Sequence, residues 1–170
     1  IISSDIINYV SNHDNLLFPI LIGSDLRVLE KLNHTFDGET YSPKPNKKKL
    51  SKTAFMYLNS PYLWGGRTPL GIDCSGFTQI VYKINGVKLS RDAHQQANQG
   101  QTLSFIEESE AGDLAFFDDS EGKIVHVGLL LENHCIIHAH GTVRIDQIDQ
   151  TGIYNGSAHT HKLRMIKKLI

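Results

Sequence analysis

The chain is predicted to be an α+β protein, and three stretches carry that prediction. The Gly- and Pro-rich loop 61–73 runs into apolar residues at helical spacing, with Phe77, Ile80, Val81 and Ile84 at i, i+3, i+4 and i+7. The runs 124–131 and 135–140 are apolar and strand-like. Only Glu132-Asn133-His134 separates them, which gives an antiparallel hairpin. Residues 1–46 hold short apolar runs cut by Pro19, Gly23-Ser24, Asp37-Gly38 and Ser42-Pro43-Lys44-Pro45, which read as a small β module and a linker. The expected layout is a β module, 1–46, then a domain, 47–170, in which helices pack on an antiparallel sheet.

Taken in order, the elements follow from local chemistry. Asp37-Gly38 between Thr35-Phe36 and Thr40-Tyr41 predicts a tight hairpin. Leu50, Ala54, Tyr57 and Leu58 share one side of a helix over 47–58, which Pro61 ends. Its Lys47-Lys48-Lys49 run reads as a solvated helix start. The next helix begins at about Cys74, with Asp73 as N-cap and Asn85-Gly86 as the stop. Residues 89–100 are polar and Gln-rich and suit a short exposed helix or an irregular segment. Glu110-Ala111-Gly112-Asp113 is a turn before the strand Leu114-Ala115-Phe116-Phe117. Cys135 falls in an apolar strand and is expected in the core. The run 163–170 supplies a last strand.

Composition narrows the function. With 170 residues, 40% hydrophobic and 21% charged, the chain suits a folded globular protein. Its 17 basic and 18 acidic side chains show no basic stripe, which argues against a nucleic-acid partner. No apolar run is long enough to span a membrane, and these residues hold no signal-peptide pattern. The two cysteines, Cys74 and Cys135, make no CxxC pair and no disulfide framework.

Cys74 stands at a predicted helix N-terminus, where unpaired amides and the positive dipole end favour negative charge. A thiol there is expected to ionise more readily than a free one, and the thiolate is the nucleophile. Such a nucleophile needs a base, a group that orients the base, and donors for an oxyanion. The hairpin supplies imidazoles, since it sets His126 beside His138 or His140. The backbone N–H of Cys74 and the hydroxyl of Tyr62 are the expected oxyanion donors, and Trp64 a wall of the site. An alternative from spacing is a zinc hydrolase using His126, His138 and His140, although no HExxH motif supports it. His159-Thr160-His161 reads as a surface pair.

Five blocks in order then carry a resemblance: Tyr62-Leu63-Trp64-Gly65-Gly66, Asp73-Cys74-Ser75-Gly76-Phe77, Gly112-Asp113-Leu114-Ala115-Phe116-Phe117, His126-Val127-Gly128 and Ile137-His138-Ala139. Together they resemble the NlpC-type family of papain-fold cysteine peptidases over residues 47–170. The resemblance implies a papain-like domain that hydrolyses the γ-D-glutamyl-L-diamino acid bond of peptidoglycan stem peptides through a thioester, without cofactor or metal. It implies Cys74 as nucleophile, His126 as base and His138 as the orienting residue. It implies Asp73 and Ser75 as contacts for the substrate's ammonium, with Tyr62 at the oxyanion. Ser90-Arg91-Asp92-Ala93 resembles a family loop at the site, which brings Arg91 to the substrate; some members carry a hydroxyl where Ala93 stands. Residues 1–46 are similar to part of a bacterial SH3-like module, which in such enzymes can restrict substrates to short peptides. The implied partner is a stem peptide or murein fragment, the implied state a monomer, and the implied location the cell envelope or outside, with cytoplasmic recycling as the alternative. The competing readings are a non-catalytic peptidoglycan-binding or adaptor protein, and an acyl-transferring relative.

Overall fold

The computed structural model of the chain describes residues 1–170. It divides into two compact units, Ile1–Lys44 and Pro45–Ile170. In the first, β1 (Ile2–Ser3) pairs β4 (Thr40–Tyr41), and β2 (Ile7–Ser11) forms a hairpin with β3 (Leu17–Leu21). The hairpin expected at Asp37-Gly38 is therefore not formed. A two-residue type I′ turn needs positive φ at both centres, and neither Asp37 nor Gly38 has it. Gly38 serves close approach instead: a Cβ there would stand 2.2 Å from Asn8 Nδ2 and 2.6 Å from Asp5 Oδ2.

The second unit opens with α1 (Lys47–Phe55), shorter than the predicted 47–58. Its end tightens into i→i−3 bonds from Met56, Tyr57 and Leu58, and Asn59 then takes φ +68°. Tyr57 still turns inward and is fully buried, whereas Leu58 stays exposed. Lys47 is not merely solvated. Its Nζ lies 2.7 Å from Asp113 and 2.8 Å from Glu110, tying the helix start to the turn that precedes a central strand.

After the short pair β5 (Arg67–Thr68) and β6 (Gly71–Ile72) comes α2 (Cys74–Ile84), capped by Asp73, whose Oδ1 accepts the Gly76 N–H at 2.6 Å. Phe77, Ile80, Val81 and Ile84 form its buried face, and Phe77 meets the Tyr57 ring edge-on at 6.1 Å. The short α3 (Ala93–Gln96) follows, and the expected exposure of this segment fails at Leu89, Ala93, Gln96 and Ala97, which are buried. Gln96 is the reason. Its amide donates to the carbonyls of Ser75 and Ser90, and its oxygen accepts from Thr78, so the segment is pinned to α2 by a satisfied polar network.

The remaining strands are β7 (Gln101–Leu103), β8 (Leu114–Asp118), β9 (Ile124–Leu131), β10 (Cys135–His140), β11 (Thr142–Ile148), β12 (Gly152–Tyr154) and β13 (His159–Lys168). They form one antiparallel sheet in the order β12-β11-β10-β9-β8-β13-β7, and β12 also pairs β13. Strands β8 to β13 thus close on themselves as a barrel. Ala115, Phe117, Leu130, Ile136, Ile148, Ile153 and Ile166 make one apolar cluster in it, while Leu114, Phe116, Val127, Leu129 and Ile137 alternate to the other face. Both faces of the central strands are buried, which is why 114–117 and 127–130 read as continuous apolar runs. The last strand begins at His159, four residues before the expected 163, and Cys135 sits half-buried at the hairpin turn instead of in the core. Both cysteines are free, and no helix is long and apolar enough to cross a membrane.

Phe77 joins α1 to α2 with no exposed surface. Phe77→Ala is expected to cost about 3–5 kcal/mol, read as a lower denaturant midpoint at unchanged slope. A loss below about 1 kcal/mol would contradict this packing.

Candidate active site

Strand alternation builds the site. Positions 126, 128 and 130 of β9 and 136, 138 and 140 of β10 share the barrel's inner face. Leu130 and Ile136 belong to the apolar cluster, so His126, His138 and His140 continue the same face beyond it. His161 of β13 joins them, and the four ring centroids lie 4.3–6.4 Å apart.

The register alone does not select the partner of His126. Strands β9 and β10 pair at Leu131–Cys135, Leu130–Ile136 and Leu129–Ile137; extending that pairing would set His126 opposite His140. The hydrogen bond runs diagonally instead, from His126 Nε2 to His138 Nδ1 at 2.8 Å. Gly128 makes room for it. A Cβ on Gly128 would stand 2.9 Å from His138 Cβ and 2.7 Å from Ile136 Cδ1.

His138 is bonded on its far side too. Its Nε2 lies 2.8 Å from Asp146 Oδ2, and Arg144 holds the other carboxylate oxygen at 2.8 Å. Burial pushes the Asp146 carboxyl up, but the hydrogen bonds from Arg144 and His138 outweigh it and hold the group below its ordinary value. Asp146 is therefore an anion and must accept from His138 Nε2–H. Burial lowers His138 below the usual imidazole value despite Asp146, so the ring is neutral and its Nδ1 carries a lone pair. His126 Nε2–H donates to it. His126 Nδ1 is left bare, and burial followed by repulsion from the other imidazoles keeps this ring neutral well below its ordinary value. Asp146 was not expected from the sequence. The zinc alternative fails here, because both nitrogens of His138 are spent, and no group of three ligating side chains is arranged to hold a metal.

Cys74 enters from the other side. Asn59 N–H donates to the Val143 carbonyl, Val143 N–H to the Ser60 carbonyl and Tyr62 N–H to the Gly141 carbonyl at 2.8–2.9 Å, which lashes the loop before α2 to β11 and the turn preceding it. A cleft of about 400 Å³ is then lined by Tyr62, Cys74, Val125, His126, Ala139, His140, Gly141 and His161. Burial pushes the Cys74 thiol above its ordinary value, and the Asp73 charge adds to this, while backbone N–H groups of Val127, Ser75 and Cys74 act in the opposite direction. The expectation of a readily ionised thiol is thus corrected: desolvation outweighs the helix terminus. Burial first, then repulsion from negative charge on Cys74 when ionised and on Asp73, raises the Tyr62 phenol, so it remains a donor.

The other expected site residues divide. Asp73 accepts from Gly65 N–H, Gly76 N–H and both Arg91 Nη atoms at 2.6–3.0 Å, and Arg91 also reaches Ser75 Oγ at 3.0 Å. These three form one compensated cluster, and the Asp73 lone pairs are filled. Trp64 is 86% exposed and does not line the cleft. His161 was expected as half of a surface pair with His159. A β-bulge opposite Ile153 and Tyr154 separates the two: His159 binds exposed Asp149, and His161 stacks on His126.

With Cys74 and His126 neutral in the resting site, alkylation of Cys74 by iodoacetamide is expected to rise along a titration curve above that of a free cysteine, about 8.5. A plateau of full reactivity reached below pH 7 would contradict the neutral pair.

Comparison with known proteins places the chain in a family. The model of the NlpC/P60 family matches residues 59–162. The γ-D-glutamyl-L-lysine dipeptidyl-peptidase of Bacillus subtilis is 40% identical over 98 residues, 56% of this chain and 33% of that protein. The protein of the same name from Bacillus cereus is 32% identical over 132 residues, 75% of this chain and 39% of that protein. The chain thus spans about a third to two fifths of the length of these relatives. A crystal structure of an NlpC/P60 family protein from Bacillus cereus superposes with a TM-score of 0.74 at 23% identity, covering 99% of this chain and 62% of the other, which establishes a shared fold. From the five sequence blocks, the barrel that sets His126 against His138 and the match over 59–162, the chain belongs to the NlpC/P60 family.

Proposed function

We propose that this chain is a cysteine peptidase of peptidoglycan stem peptides, cleaving the γ-D-glutamyl-L-diamino acid bond. The carrying observation is that Cys74 and His126 line one cleft, with His126 fixed through Nε2 by His138 and Asp146 and its Nδ1 making no hydrogen bond. The two Bacillus relatives, both γ-D-glutamyl-L-lysine dipeptidyl-peptidases by name, support the bond.

In this mechanism the Cys74 S–H gives its proton to His126 Nδ1 as sulfur attacks the γ-carbonyl. The oxyanion takes hydrogen bonds from the Cys74 backbone N–H, which has no i−4 partner in its own helix, and from the Tyr62 hydroxyl. Collapse of the adduct breaks the C–N bond, and the His126 imidazolium protonates the departing amine. Water, deprotonated by His126, then hydrolyses the γ-glutamyl thioester and restores the thiol. Charge forms only during reaction, when His138 and the Asp146 anion behind it stabilise the imidazolium.

Asp73, Ser75 and Arg91 brace the loop that carries the nucleophile in this reading, because the filled Asp73 carboxylate offers no open acceptor to a substrate ammonium. Residues 1–46 are read as part of an SH3-like module and 47–170 as a papain-like domain. This division is supported by the short antiparallel strands of the first unit and the helix-plus-sheet build of the second. The adaptor reading has no observation in its favour, since each group of the relay is present and bonded.

The test is hydrolysis of L-Ala-γ-D-Glu-L-Lys. Cys74→Ala is expected to abolish it with the fold intact, and a chelator to leave it unchanged. Asp146→Asn offers one acceptor to two donors, Arg144 and His138, and is expected to lower kcat at least about tenfold, against the roughly 10²–10⁴ that positioned proton transfer supplies. The acid limb of kcat/KM is expected below pH 6.5, since the base loses activity only on protonation and its pKa is lowered. Activity that survives Cys74→Ala, or that disappears with the chelator, would overturn the proposal.

A further inference from the structure

We infer that His140 and His161 form a subsite for a free carboxylate of the substrate, beside the scissile amide; this rests on the peptidase reading above. Both rings line the cleft with Cys74 and Tyr62. They meet edge to face with centroids 4.8 Å apart, and His161 lies against His126 at 4.3 Å and 27°. Neither belongs to the Asp146–His138–His126 relay. His161 Nδ1 meets Thr160 Oγ1 at 2.8 Å, leaving Nε2 open, and the His140 ring makes no hydrogen bond.

The rest of the wall, Val125, Ala139 and Gly141, presents no anion to them. The nearby carboxylates are engaged elsewhere, Asp73 by Arg91 and Asp146 by Arg144 and His138. Two imidazoles with spare nitrogens therefore face a cleft without a counter-charge. Burial and the neighbouring imidazoles push His161 down to about 4, so in the empty site it is neutral. An entering carboxylate reverses that balance. It accepts from both rings and favours the protonated form of His161, which makes that bond charge-assisted. A carboxamide offers one acceptor and turns an NH2 group toward the second ring.

A γ-linked D-glutamyl peptide carries carboxylates on both sides of the scissile amide: the α-carboxylate of D-Glu on the acyl side, and that of the diamino acid on the leaving side. The full chain is therefore assayed on L-Ala-γ-D-Glu-L-Lys and on its two monoamides, one with D-isoglutamine and one with lysine carboxamide. The acid is expected to exceed one monoamide in kcat/KM by at least about tenfold, and the monoamide that loses identifies which carboxylate is held. In H140A/H161A that ratio is expected to fall toward one, and H140Q/H161Q, which keeps donors, to retain part of it. His140→Ala alone, at an exposed ring, gives the same reading should the double variant fail to fold. All three peptides cleaved within about twofold by the wild type, or a double variant that slows every peptide equally and keeps the ratio, would overturn the subsite. Cleavage of none by the wild type would sink the peptidase reading and the subsite with it.

Discussion

The site depends on one ring, that of His138, which is bonded at both nitrogens. Its Nε2 is committed to an anion, so its Nδ1 must accept, and the tautomer of His126 follows without further choice. None of this works unless the two strands come close enough for a diagonal contact, and a residue without a Cβ at 128 permits that. The chemistry of a proton is thus set by the packing of a β-ladder. The barrel supplies rigidity: its lower part is filled by Leu130, Ile136 and Ile148, and the same inward alternation continues into imidazoles and Asp146.

This arrangement favours a neutral resting site. Burial penalises a thiolate and an imidazolium alike, and the helix terminus beneath Cys74 does not compensate. The Asp146 anion stands behind the single ring of His138, where Arg144 also holds it, and in the proposed mechanism it is the charge that balances a His126 imidazolium. In that mechanism charge develops between groups already in place, and little reorganisation accompanies it. The Arg91–Asp73–Ser75 cluster serves the same end on the other wall by fixing the loop and the first turn of α2. Gly76 and Gly66 let these segments touch, since a Cβ on Gly76 would stand 2.4 Å from the Gly66 carbonyl oxygen.

Much of this was legible in the sequence. The helix from Cys74 to Ile84, its Asp73 cap and the strands Ile124–Leu131 and Cys135–His140 follow from period and turn residues alone, because local propensity and burial agree there. The choice between His138 and His140 was not legible from spacing. Ladder register favours His140, and only the diagonal reach over Gly128 favours His138. Asp146 was invisible because its strand, Thr142–Ile148, alternates Arg144 and Asp146 with Val143 and Ile145. That pattern reads as a polar solvent face, whereas here the polar side turns into the barrel. His161 was misplaced because the bulge in β13 that separates it from His159, opposite Ile153 and Tyr154, has no local sequence signal. The thiol's ionisation was misjudged because desolvation is a tertiary property, and a helix terminus can be read from sequence but its burial cannot.

The central claim is that His138 and Asp146 leave His126 with a bare Nδ1. Long-range 1H–15N correlation spectra of the imidazoles at neutral pH test it most directly. The account predicts that His126 and His138 are both neutral and both protonated at Nε2. A His126 ring protonated at Nδ1, or an imidazolium at that position in the resting protein, would contradict it.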